Sequence, residues 1–212
     1  SQPAPLAFLL AQVHGRRHLV EQEIDILRAV RGCPYTLKII DSGSASPSTM
    51  YIVTEYHNGG TLEALMRTIC APLDGTRVRR SCPPGLVLLV VRDIALALEC
   101  MHSAGYVHVD VKPGNVFISI SEPPPIPAGQ TSLKITEADL PTLLPRMRFI
   151  LGDYGLSEAI GAPLRDGGSP FYMSPEAFLT ASSLASSSTS SPSSSTSSPS
   201  VLPASQETAR FG

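Results

Sequence analysis

Residues 107–119 read VHVDVKPGNVFIS and set an aspartate, a lysine and an asparagine at fixed offsets: Asp110, Lys112 and Asn115. Those three types cover the needs of chemistry on a polyanion. A carboxylate orients a hydroxyl or accepts its proton. An ammonium steadies a phosphoryl group in transfer, and an amide oxygen ligates a hard metal ion. The apolar run that follows, residues 116–120, has the character of a strand. The stretch also reads as a plain turn, because Lys-Pro-Gly-Asn is good turn chemistry and a Pro-Gly pair marks a loop in any fold.

Two later stretches bear on that choice. Gly152-Asp153-Tyr154-Gly155 follows a strand-like run at 147–151, and an aspartate on a glycine-flanked turn can approach a metal bound to phosphates. Residues 168–176 read GSPFYMSPE. Together the three stretches resemble protein kinases. His108-Val109-Asp110, with Asn115 at the right distance, resembles the catalytic loop H-R-D-x-x-x-x-N. Asp-Tyr-Gly resembles D-F-G with a tyrosine that keeps the ring, and Ser-Pro-Glu stands where A-P-E would be.

The resemblance, over residues 6–178, implies an α+β, two-lobed kinase-like fold with a partial small β lobe and a truncated helical lobe. It implies transfer of the γ-phosphoryl of ATP to a Ser or Thr hydroxyl of a protein substrate, with Mg²⁺ as cofactor. Asp110 would position the hydroxyl and accept its proton, and Lys112 would stabilise charge on the transferred group. Asn115 and Asp153 would hold Mg²⁺. Ser169 should contact Asp110 and Lys112, and the lysine itself argues for Ser/Thr over Tyr specificity. The catalytic loop has some likeness to the Wee-type cell-cycle kinases, which the activation segment does not follow.

The elements that must position these residues can be read around them. Residues 7–13 suit a short strand. Residues 17–31 predict a helix with Val20, Ile24, Leu27 and Val30 on one face and Gly32 as its stop. Glu23 lies on that stripe, and a carboxylate on an apolar face needs a cation or a strong hydrogen bond. On the resemblance this is helix αC and Glu23 pairs with a strand lysine; otherwise Glu21, Glu23 and Asp25 are all solvated. Residues 36–40 and 50–55 predict two strands joined by a polar turn at 42–49. A chain reversal at 57–60 leads to a helix with Thr61 as N-cap. This MYIVTEYHNGGTLEAL stretch resembles the fifth kinase strand, the hinge and the next helix, with a plain strand–turn–helix as the alternative. The resemblance puts Thr54 at the back of the adenine pocket and the backbone of Glu55 and His57 on the adenine edge. Residues 85–103 are apolar on nearly all sides and predict a buried helix ended by Gly105. Residues 122–146 look irregular, exposed and mobile. The stretch 181–200 is almost wholly Ser, Thr and Pro and predicts disorder. The expected division is therefore a partial N-terminal lobe over 1–56 and a partial C-terminal lobe over 57–179, with an insertion at 121–146. A Ser/Pro-rich tail covers 180–212.

The sequence also departs from the family. It contains no G-x-G-x-x-G, and its only lysines are Lys38, Lys112 and Lys134, none of them before helix αC. Either the lysine-bearing strand lies outside this sequence, or residues 6–9 are that strand with Leu9 in the lysine's place. Glu23 then lacks its usual partner, with Arg16 or Arg17 as imperfect substitutes. Nothing after Glu176 resembles the helix whose aspartate braces the catalytic loop. Val109 replaces the arginine that binds a phosphorylated activation segment, so that form of switching is not expected. The rival reading is a pseudokinase that binds or scaffolds without turnover. A third is that the Ser/Pro-rich tail is a phosphorylated interaction segment.

Composition narrows the rest. A formal net charge of −2 over 212 residues argues against nucleic-acid or membrane-surface binding. The longest apolar run, residues 86–91, is far short of a bilayer span. The first residues hold an apolar stretch with no basic region before it, which does not read as a signal peptide. The four cysteines, Cys33, Cys70, Cys82 and Cys100, form no CxxC pair, which favours reduced thiols in a cytoplasmic or nuclear protein. Oligomeric state is left open.

Overall fold

A computed structural model describes residues 6–12, 17–71, 81–127, 129–163, 167–175 and 177–178. The predicted Ser/Pro-rich tail lies outside the described residues. One antiparallel sheet has the order β1-β3-β2, with β1 at Leu6–Gln12, β2 at Ile39–Ser46 and β3 at Thr49–Glu55. The central strand β3 buries Met50, Ile52 and Val53. Its hairpin with β2 turns over Pro47 and Ser48 alone, so the expected polar turn at 42–49 is mostly strand. Small polar side chains weaken the hydrophobic signal there, but the backbone still pairs. Ser42 and Ser44 accept hydrogen bonds from Arg28 and Arg17, both at 3.0 Å.

Residues 36 and 37 do not join that sheet. Thr36 bridges Leu151 in parallel, the Leu37 N–H donates to the Leu151 carbonyl at 2.8 Å, and the buried Thr36 hydroxyl donates to the Val30 carbonyl at 2.9 Å. This short splice joins the end of helix α1, Arg17–Ala29, to strand β6, Met147–Leu151. The α1 stripe buries Ile24, Leu27 and Val30 as its spacing predicts, and Ile26 with them.

The rest of the chain is mainly helical. Helix α2, Leu62–Ile69, starts on Thr61, whose hydroxyl accepts from the Ala64 N–H at 3.2 Å. Helix α3, Pro84–Ser103, buries Leu86, Ile94, Ala97 and Met101. It is not buried all round: Leu88 is 71% and Val91 61% exposed, because the described elements cover only one of its faces. Gly105 ends this stretch at φ +86, a left-handed turn that glycine takes at low cost. Strand β4, Tyr106–Val107, pairs with β7, Glu158–Ala159, and β5, Val116–Ile120, pairs with β6.

Residues 122–146 are not simply irregular. Thr136 and Asp139 form a reciprocal capping box, with the Thr136 N–H and hydroxyl donating to Asp139 Oδ2 at 2.9 and 2.6 Å. Helix α4, Leu140–Leu143, then buries Leu140 and Leu143, and Ile135 is buried just before it. One apolar cluster runs from Ile24 and Leu27 of α1 through β5, β6 and α3 to Leu140, so sheet and helices share a core. A disulfide joins Cys33, just after α1, to Cys100 on α3. The expectation of four reduced thiols therefore fails for this pair. A sequence separation of 67 carries no signal that two cysteines meet.

Candidate active site

The catalytic-loop residues converge. Strand β4 ends beside Val109, whose φ of 70 throws the chain into the left-handed region. That conformation is uncommon for any residue with a side chain and an outlier for a β-branched one. The turn aims Asp110, only 6% exposed, back across the loop. Its Oδ1 accepts the Ser169 N–H at 2.9 Å, and its Oδ2 accepts Lys112 Nζ at 2.5 Å and Asn115 Nδ2 at 3.2 Å. Lys112 Nζ also donates to Ser169 Oγ at 2.9 Å, the contact expected of that serine. Asn115 Nδ2 donates to the Asp110 carbonyl at 2.9 Å as well, so its amide nitrogen faces the aspartate. Burial pushes the Asp110 carboxyl up. The Lys112 ammonium and the Ser169 hydroxyl and N–H together outweigh burial and hold it below the usual carboxylate range.

A second layer fixes this loop to Asp153. The Gly152 N–H donates to the Asn115 carbonyl at 3.0 Å, and the buried His108 Nε2 lies 3.0 Å from the Gly152 carbonyl. A carbonyl only accepts, so Nε2 carries the proton. Burial holds the His108 ring below its usual pKa, which keeps it neutral. A Cβ on Gly152 would stand 2.8 Å from the Phe117 ring, so only glycine lets the two strands approach here. Asp153 follows at φ 63, again left-handed, and is solvent-exposed. Tyr154 turns inward to 1% exposure, with its ring 5.4 Å from His108 and its hydroxyl donating to the Leu151 carbonyl at 2.6 Å.

Glu23 reaches this layer from α1, but it meets no cation. Ideal Cβ geometry at Gly155 lies 3.6 Å from Asp153 Oδ1 and 3.9 Å from Glu23 Oε2, so both carboxylates face that glycine. Among the described residues no lysine or arginine forms an ion pair with either. Burial, then the Asp153 charge, pushes Glu23 up to about 7, against a hydrogen bond from the Tyr154 backbone. Arg17 is no substitute partner, because it pairs with Glu21 at 2.8 Å, and Arg16 lies outside the described residues. Of the two readings of the first strand, the structure has the strand: β1 precedes α1, pairs with β3, sets Leu9 opposite Ile52 and holds no lysine.

Thr54 and Glu55 end strand β3, and His57 lies on the link between β3 and α2. Thr54 stands between Ala7 and Ile39 in register. The Glu55 N–H donates to the Lys38 carbonyl at 3.1 Å, so that donor is not open to a ligand. The His57 ring packs 6.0 Å from Phe117, and its Nε2 is buried with no partner, as is Tyr56 Oη. Burial, then Lys38, pulls His57 down to about 4.

Two positioning residues have no motif to announce them. Gln22 Nε2 donates to the Ser157 carbonyl at 3.0 Å and to Glu158 Oε2 at 3.1 Å, which ties α1 to the segment after Asp153. Asp93, fully buried on α3, accepts the Phe149 N–H at 2.9 Å and pairs with Arg92 at 2.8 Å. A carboxylate in the middle of an apolar helix is a readable sign of such a contact; Gln22 carries none.

The donor set fits a hard divalent cation. The amide oxygen of Asn115 and the exposed carboxylate of Asp153 lie on turns joined by the Gly152 N–H to Asn115 carbonyl hydrogen bond, and they are the oxygen donors that could hold Mg²⁺, which takes one or two such groups together with phosphates.

Residues 10–191 match the protein kinase domain family, and the chain belongs to it. The serine/threonine-protein kinase pakE of Dictyostelium discoideum is 25% identical over 166 residues, 76% of this chain and 14% of the relative. CBL-interacting protein kinase 22 of Oryza sativa is 30% identical over 161 residues, 76% of this chain and 30% of the relative. The probable serine/threonine protein kinase IREH1 of Arabidopsis thaliana is 36% identical over 108 residues, 49% of this chain and 7% of the relative. The chain thus spans under a third of each of these relatives. No helix among the described residues is long and apolar enough to cross a membrane.

Proposed function

We propose that the protein transfers the γ-phosphoryl of ATP to a Ser or Thr hydroxyl of a protein substrate. The observation that carries this reading is Lys112 Nζ bridging Asp110 Oδ2 at 2.5 Å and Ser169 Oγ at 2.9 Å. That arrangement orients one carboxylate and sets one cation beside it, as hydroxyl activation at a phosphate requires. Asp110, held ionised, accepts a hydrogen bond from the incoming hydroxyl and then its proton. Lys112 offers positive charge where negative charge gathers on the transferred group. Asn115 and Asp153 hold Mg²⁺, which when bound neutralises phosphate charge. The backbone of Glu55 and His57, with Thr54 behind, receives the adenine. Incorporation of radiolabelled phosphate into a Ser/Thr protein substrate tests the assignment. Asp110→Asn should lower it by about 10²–10⁴-fold, and equal incorporation by both forms would overturn it.

A second reading is a binding module without turnover. Its support is β1, which carries no lysine and leaves Glu23 beside Asp153 without a cation among the described residues. On that reading Mg²⁺–ATP raises the thermal midpoint, no label is incorporated, and Asp110→Asn changes neither result.

A further inference from the structure

The cysteines fall into two pairs, of which the structure bonds one. Cys70 caps the C-terminal end of α2, and Cys82 precedes the first turn of α3. Their sulfurs lie 2.7 Å apart. Atoms that merely touch sit about 3.5–4.0 Å apart, and a disulfide brings two sulfurs to about 2.05 Å. The two side chains are thus turned toward each other and within reach of a bond. A shared metal does not explain the separation: two thiolates on tetrahedral Zn²⁺, with Zn–S about 2.3 Å, stand about 3.8 Å apart. Among the described residues no cluster of His, Cys, Asp and Glu offers further ligands. Cys33 and Cys100 are already joined, so these two make up the whole remaining cysteine content of the chain.

We propose that Cys70 and Cys82 are oxidised to a second disulfide, that all four cysteines are paired, and that the protein acquires its fold in a disulfide-forming compartment. Disulfides persist in such compartments and are rare in the reducing cytosol. The oxidant is a protein or glutathione disulfide. One cysteine thiolate attacks it, giving a mixed disulfide and releasing one oxidant thiol. The second thiolate then displaces the other oxidant sulfur and closes the Cys70–Cys82 bond. Two electrons pass to the oxidant, and the two protons left by the cysteines end on its thiols. The bridge closes the α2–α3 connection and removes conformational freedom from the unfolded chain. It also pins the start of α3, the helix that Cys100 ties to the residues after α1.

The test is mass spectrometry on the whole chain produced once through a secretory route and once in a reducing cytosol. Each sample is alkylated under denaturing conditions without reductant. From the secretory route we expect a chain four hydrogen atoms lighter than its all-thiol form, with linked peptides Cys70–Cys82 and Cys33–Cys100. We also expect that Cys70→Ser/Cys82→Ser lowers the thermal midpoint of the oxidised protein by several degrees and leaves that of the reduced protein unmoved. Quantitative alkylation of Cys70 and Cys82 in secreted, folded protein would overturn the proposal. So would a stable fold with four free thiols from the cytosol, at the same thermal midpoint as the secreted form.

Discussion

The two ends of the site are built differently. Around Asp110, each carboxylate oxygen has a donor from the chain itself, and Lys112 and Ser169 close the network. Around Asp153, two carboxylates face one glycine, one exposed and one driven up to about 7, with no described cation between them. The first end is organised before any ligand arrives. The second has no such partner among the described residues. Preorganised polar groups speed chemistry because they need no rearrangement during the reaction, whereas facing carboxylates favour whatever cation relieves them. On the proposed function, folding fixes the acceptor end and metal would complete the nucleotide end.

The sharpest way to break this contrast is Asp153→Ala. It should abolish the thermal shift given by Mg²⁺–ATP, worth about 2.7 kcal/mol at a hundred times the dissociation constant. Asp110→Asn should leave that shift in place. A shift retained by the Asp153 variant would place the metal elsewhere.

Glu23→Gln probes the same end without ligand. A carboxyl raised from 4.5 to about 7 binds its proton more tightly in the folded state. Its contribution to stability is intact below pH 4.5, is lost as pH rises toward 7, and stays lost above. The glutamine variant should therefore gain on the parent between those values, by on the order of 3 kcal/mol at pH 8. His57 has the opposite slope: lowered from 6.5 to about 4, it favours the fold above 6.5 and loses that stability as pH falls toward 4. Denaturant midpoints for parent and variant from pH 5 to 8 isolate Glu23, since His57 is common to both. Parallel curves would mean that Glu23 is ionised throughout.

Two smaller effects concern the acceptor end. Val109→Asn keeps a side chain that tolerates the left-handed region and should stabilise the fold by about 1 kcal/mol, read as a raised denaturant midpoint. Ser169→Ala removes one hydrogen bond to Lys112 and should cost about 0.5–1.5 kcal/mol with Mg²⁺–ATP binding unchanged. Loss of nucleotide binding in Ser169→Ala would merge two ends that are here kept apart.

Much of this was legible in residue order. The stripe of α1, the Thr61 cap and the Asp110, Lys112, Asn115 and Ser169 cluster all lie where the sequence puts them, because each depends on local spacing or on a loop motif. The misses have a common physics. Residues 42–46 are strand because β3 supplies backbone partners, which no side chain advertises. The outward face of α3 carries Leu88 and Val91, so apolar composition did not reveal which side is covered. Residues 135–143 bury three aliphatic side chains behind a capping box, a pattern hidden among prolines. The Cys33–Cys100 bond and the Gln22 contacts join residues far apart in sequence, and neither type nor spacing encodes such a meeting.

Gln22 has one more consequence. By holding the Ser157 carbonyl and Glu158 it makes the placement of α1 and the pairing of β7 with β4 a single variable. A ligand that draws Glu23 and Asp153 into one arrangement then also favours one course of the chain beyond them. Linkage is reciprocal, so a protein substrate that prefers that course must tighten nucleotide binding by the factor by which nucleotide tightens its own. On the proposed function Gln22 would couple the two, and Gln22→Ala should bring that factor toward one.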